Sequence, residues 1–169
     1  MAHDYSIKGI LMKNNKQTKS SATRSGKSTQ GYVSVNGLEM YYEIHGRGQP
    51  LVLLHGAFSA IGTSFAKLLP SFAKTRQVIA FELQAHGRTA DIDRPLTLEG
   101  MADDTAAALK SLQVDRADIF GYSMGAGLPN SQLAVLPGTS HVTLVDRADW
   151  LVSMINAFLE TPIKNENKG

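Results

Sequence analysis

Apolar residues recur at strand-like spacing from Tyr32 to Val35 and from Leu38 to Ile44, with Asn36-Gly37 between the two runs. Asn-Gly supplies the two positive-φ residues of a tight reversal, so this segment is predicted to be a β-hairpin. Behind Pro50, Leu51-Val52-Leu53-Leu54 is an unbroken apolar run, the texture of a strand covered on both faces, and Val78 to Phe81 and Ala117 to Phe120 have the same character. Between these last two, Leu98, Met101, Thr105, Ala108, Leu109 and Leu112 fall on one helical face behind Thr97, a suitable cap. A second helix is predicted from Asp146, with Asp149 in a loose capping box and a core-facing stripe of Leu151, Met154, Ile155, Phe158 and Leu159. The order hairpin, strand, helix, strand, helix, strand predicts an α/β fold whose sheet is mostly parallel after an antiparallel meander.

The 169 residues suffice for one domain with one core. From Asn14 to Gln30 nearly every residue is Lys, Asn, Ser, Thr, Gln, Gly or Arg, which cannot bury enough apolar surface to order itself. The expected organisation is therefore a disordered basic leader over 1–30, one domain over 31–162 and a tail over 163–169. Six basic residues against Asp4 give the leader a charge of +5, so the rest of the +2 chain carries −3. A mildly acidic globule argues against nucleic acid as a partner. The longest stretch without Asp, Glu, Lys or Arg, Ile119 to Val145, contains Pro129 and Pro137, so no membrane span is expected and cytoplasm is the default location. Absence of cysteine excludes disulfides and thiolate metal sites, and the five dispersed histidines suggest no metal. Gly26-Lys27-Ser28-Thr29 has the ending of a phosphate loop, but Ser21 stands where its glycine belongs and no strand is expected before it.

The sharpest chemical signal is Gly121-Tyr122-Ser123-Met124-Gly125, directly after the strand ending at Phe120. In G-x-S-x-G behind a strand, the glycines allow a sharp turn that raises the serine hydroxyl above the sheet edge as a nucleophile elbow. Upstream, His55-Gly56-Ala57 ends another apolar strand, where a second oxyanion donor would stand. Serine is a poor nucleophile at its free pKa, so it needs an imidazole to take its proton and two N–H donors to meet the oxyanion.

With these motifs the chain resembles the α/β-hydrolase superfamily, in its small esterase, haloperoxidase-like and C–C hydrolase branch. The resemblance runs from about Tyr32 to Phe158 through Val52-Leu53-Leu54-His55-Gly56, Val78-Ile79-Ala80-Phe81-Glu82, His86-Gly87-Arg88-Thr89, the elbow, and Leu136-Pro137-Gly138-Thr139-Ser140-His141. It implies Ser123 as nucleophile, His141 as general base, the backbone N–H groups of Ala57 and Met124 as oxyanion hole, and structural roles for His55, Gly56, Gly121, Gly125 and His86. No cofactor is implied, and a serine in the elbow points to a small ester-like substrate rather than to dehalogenase or epoxide hydrolase chemistry.

After Gly125 the family pattern breaks. Gly127 and Pro129 leave no room for the elbow helix, and Gln132 to Leu136 already read as the family's last strand. An internal deletion is expected, removing the cap, the strands after the elbow helix and the loop of the catalytic acid, so no acid is assigned. Two functions follow: a serine hydrolase, or a catalytically silent hydrolase-fold protein acting as a binding module. Strands left uncovered would favour a homo-oligomer or domain swap.

Overall fold

The computed structural model describes residues 23–25, 28–123, 140 and 143–161. The hairpin forms as its sequence dictates. Strands β2 (Ser28–Val35) and β3 (Leu38–Gly46) pair antiparallel from Ser28 opposite His45 to Val35 opposite Leu38. Asn36 (φ 48°) and Gly37 (φ 83°) both take the left-handed conformation that a two-residue hairpin loop requires. Strand β2 begins at Ser28, four residues before the apolar pattern, and β1 (Thr23–Ser25) pairs with it in turn, so regular structure extends into the stretch expected as leader. A ladder draws on main-chain N–H and C=O groups, so polar residues such as Thr29 and Gln30 extend a strand that composition alone would not reveal.

Strands β4 (Gln49–Leu54), β5 (Arg76–Phe81) and β6 (Asp118–Gly121) complete a six-stranded sheet in the order β1-β2-β3-β5-β4-β6. The last three are parallel, with Leu54 level with Phe81 on one side and Gly121 on the other. The chain passes from β4 to β5 through two short helices, α1 (Ile61–Phe65) and α2 (Leu69–Phe72), and from β5 back across β4 to β6 through α3 (Leu98–Ser111). The order of the parallel strands therefore reverses at β4, which opens a crevice beyond its C-terminal end, where α/β sheets bind ligands.

Alternate side chains of β4 and β5 feed two cores. Leu51, Leu53, Val78 and Ala80 meet Phe65, Leu68, Phe72 and Leu151 on one face, whereas Val52, Ile79 and Phe81 meet Val33, Met40 and Ala108 on the other. Thr97 caps α3 as predicted, its Oγ1 accepting the N–H of Gly100 at 3.0 Å. Leu98, expected on the buried stripe, is instead exposed, since the helix meets the core only from Met101 onward.

The last helix, α4 (Ala148–Glu160), starts two residues later than predicted, behind a 3₁₀ turn over Thr143–Asp146. Arg147 occupies the cap position without a side-chain capping bond, and the Asp146 carboxylate pairs instead with Lys67 Nζ at 2.7 Å. Most of the predicted stripe packs as core: Leu151 is buried, and Met154, Ile155 and Leu159 lie against the α1–α2 face of the sheet, whereas Phe158 does not join that cluster. The expected last strand over 132–136, the missing elbow helix and the tail over 163–169 lie outside the described residues.

Candidate active site

Strand β6 ends at Gly121, and the next amide, of Tyr122, donates to the carbonyl of Leu54 at 2.9 Å, so β4 and β6 run together to the sheet's C-terminal edge. There the chain turns abruptly. Ser123 has φ of 66°, a left-handed conformation that a non-glycine residue adopts only when its surroundings impose it, and it stands exposed at the edge.

Gly56, two residues past β4, faces this turn at close range. A Cβ at position 56 would lie 3.1 Å from the Cβ of Ser123 and 3.0 Å from the Tyr122 ring, so only glycine lets the two loops approach this closely. Ala57 and Phe58 follow on the exposed side, and Phe58 is also left-handed, with φ of 58°. Ser59 Oγ ties the loop back to the Gly56 carbonyl at 2.8 Å.

His55 is wholly buried, and both ring nitrogens are engaged. Its Nε2 accepts the main-chain N–H of Leu83 at 3.1 Å, which leaves the proton on Nδ1, 2.8 Å from the Gly56 carbonyl. Burial is the main force pushing its pKa below the ordinary histidine value, and the nearby His86 ring adds to it. The two imidazoles lie 5.1 Å apart, and His86 Nδ1 donates to the Gln84 carbonyl at 2.7 Å.

Just past β5, the buried Glu82 is paired with the exposed Arg88, whose Nε and Nη2 donate to it at 3.0 and 2.8 Å. Burial pushes the Glu82 carboxyl upward, but the bonds from Arg88 outweigh it and hold the group below the usual carboxylate range. The same guanidinium lies over the Tyr41 ring, 3.8 Å from its centre. Burial and the neighbouring Glu43 push the Tyr41 phenol up to about 12. A cleft of about 480 Å³ opens beside this edge, lined by Phe58, Ala60, Thr63, His86 and Leu96 among others.

Gly121, Ser123, His55, Gly56, Ala57 and His86 thus share one sheet edge, with Ser123 against Gly56 and His55 beside His86. Met124, Gly125 and His141 lie outside the described residues. Glu82 and Arg88 received no role from the sequence. Their signal was an acidic residue at the end of a buried strand with a basic residue six positions on. Among the described residues no group of three or more His, Cys, Asp or Glu side chains could hold a metal ion, and no helix is long and apolar enough to cross a membrane.

Residues 51–159, more than half of the chain, match the model of the alpha/beta hydrolase family. The chain belongs to this family. Among alpha/beta hydrolase relatives, it is 30% identical over 103 residues to the soluble epoxide hydrolase of Corynebacterium sp. strain C12, covering 59% of this chain and 35% of that protein. Est816, an enzyme that degrades N-acyl homoserine lactones, is 35% identical with a TM-score of 0.51 over 56% of this chain and 36% of its own. The enol-lactonase of Burkholderia xenovorans LB400 is 26% identical with a TM-score of 0.53, over 56% and 37% respectively. The chain therefore spans about a third of the length of these hydrolases.

Proposed function

We propose that this chain is a serine hydrolase acting on small carboxylic esters, lactones or related acyl compounds, with Ser123 as nucleophile. The observation that carries the reading is the left-handed Ser123 at the end of β6, held against Gly56 of the loop that follows β4. A hydroxyl in that position attacks a carbonyl seated in the crevice at β4. The N–H of Ala57, one residue past the contact, and that of Met124 would receive the oxyanion, and His141 would take the serine proton. The lactone chemistry of Est816 and of the enol-lactonase, both more than 25% identical, supports acyl transfer over the epoxide opening of the Corynebacterium relative.

A second reading, a catalytically silent hydrolase-fold module left by an internal deletion, draws on the coverage of only about a third of each relative. One experiment separates the two. A fluorophosphonate probe should label the wild-type chain and leave Ser123→Ala unlabelled, because labelling requires an activated serine. No labelling of the folded wild-type chain would favour the silent module.

A further inference from the structure

We propose that Leu96, clamped in place through Arg94, is a specificity-determining residue that packs against the apolar chain of an ester substrate in the cleft beside the Ala57 loop; the role rests on the reading of Ser123 given above. The cleft adjoins that site on two sides. Phe58, on one wall, stands two residues past Gly56, at most about 7.6 Å from it between Cα atoms, and Gly56 is the residue that meets Ser123. His86, also on the lining, lies beside the buried His55. At about 480 Å³ the cleft falls within the range of small-molecule sites, about 300–1,000 Å³. Its hydroxyls are already committed: Ser59 Oγ to the Gly56 carbonyl and to Ser64 Oγ, both at 2.8 Å, and Thr63 Oγ1 to the main chain of Ala60. What the walls offer a ligand is chiefly carbon, and the two large apolar side chains, Phe58 and Leu96, are both exposed, Phe58 on left-handed backbone. A hydrocarbon chain would cover them.

A side chain on a loop selects between substrates only if its backbone is fixed. Gln84, buried just past β5, gives Nε2 to Asp91 Oδ1 at 2.7 Å and to the Ile92 carbonyl at 3.2 Å, while its Oε1 accepts Arg94 Nε at 2.6 Å. The Arg94 guanidinium goes on to Asp104, buried on α3, with Nη1 donating to Oδ1 at 3.2 Å and Nη2 to Oδ2. Asp104 Oδ1 also accepts Asn36 Nδ2 at 2.9 Å, so the hairpin turn, α3 and the end of β5 all hold this loop. Leu96 follows Arg94 by two residues, with Pro95, whose ring fixes φ, between them, and it precedes Thr97, whose side chain caps α3. Leu96 is half exposed, so its place is set by these anchors on either side rather than by its own burial.

The test measures kcat/KM of the full chain on p-nitrophenyl esters from acetate to octanoate and on n-alkyl acetates from ethyl to octyl, which vary the acyl and the alcohol chain separately. In one series the wild-type value should climb about twofold to fourfold per methylene. Leu96→Ala should cut the long-to-short ratio of that series about tenfold, through a raised KM for the long ester, and Leu96→Met should restore it. Arg94→Lys, which keeps the charge but cannot hold Gln84 and Asp104 together, should cut the ratio in the same way. Leu98→Ala, exposed but off the cleft lining, is the control and should keep the wild-type ratio. The proposal is overturned if neither series depends on Leu96, if Arg94→Lys keeps the wild-type ratio, or if Leu98→Ala lowers it equally. If Arg94→Lys does not fold, Leu96→Ala against Leu98→Ala decides. A folded wild-type chain that neither hydrolyses an ester nor takes a fluorophosphonate defeats the serine hydrolase reading instead. The cleft is then judged by titrating heptan-2-one: amide shifts at Ala60, Thr63 and Gly87 that Leu96→Ala weakens support it, and absent or unaltered shifts overturn it.

Discussion

Replacing Gly56 with Ala puts the contact between the two loops under direct test. Gly56 does not occupy the left-handed region, so alanine fits its backbone and the perturbation is purely steric. The new methyl would lie 3.0 Å from Tyr122 Cδ1 and 3.1 Å from Ser123 Cβ, against a favourable carbon–carbon separation of about 3.5–4.0 Å. The Tyr122 ring can turn aside, but the Ser123 Cβ is attached to the turn itself, so the loops must part by about 0.4–0.9 Å. Overpacking of this kind costs about 1–3 kcal/mol, and each kcal/mol lowers Tm by about 2–4 °C in a chain of this size. Because the Ala57 amide is bonded to the Gly56 carbonyl carbon, it moves with the displaced backbone. Complete loss of one oxyanion donor costs about 10²–10³ in rate, so a partial displacement should slow fluorophosphonate labelling about tenfold. Thermal unfolding by circular dichroism and the second-order labelling rate, taken on the same samples, check both figures. An unchanged Tm would mean that Gly56 and Ser123 do not touch as described. A lowered Tm with an unchanged rate would mean that the contact is packing only and that Ala57 is not an oxyanion donor.

Stability should also depend on the ionisation of His55. Its folded-state pKa lies below the ordinary value, chiefly through burial, so the unfolded chain binds the proton more readily. The contribution of neutral His55 is complete above a pH of about 6.5 and is lost as pH falls below it, so Tm should drop between about pH 7 and 5. His55→Asn should flatten that slope, and a slope equal to wild type would reject the assignment. Leu151→Ala, at a site 5% exposed where α4 meets the α1–α2 face, should cost about 2–5 kcal/mol in urea denaturation. A loss under about 0.5 kcal/mol, the scale of a surface substitution, would show that α4 does not dock there.

Local chemistry made much of this molecule legible in the sequence. Asn36-Gly37 specifies its own turn, the apolar runs of β4 and β5 announce strands covered on both faces, and Thr97 caps α3 through a bond spanning three residues, whereas β6, of the same apolar texture, leaves Ile119 exposed at the end of the described sheet. The family was legible too, because the elbow and His55-Gly56 are short contiguous patterns whose backbone demands are met within a few residues. Where an outcome depended on partners distant in sequence, the pattern fell short. Ser28 to Gln30 join β2 through main-chain bonds to β3, which side-chain composition does not encode. Asp146, expected to open α4, lies instead in the 3₁₀ turn before it and pairs with Lys67, 79 residues away. The approach of Gly56 to Ser123 exists only once β4 and β6 lie side by side. A buried carboxylate is stable only where the fold delivers its donors, so the sequence names Glu82 as an acidic residue and only the folded turn brings the Arg88 guanidinium and main-chain N–H onto it.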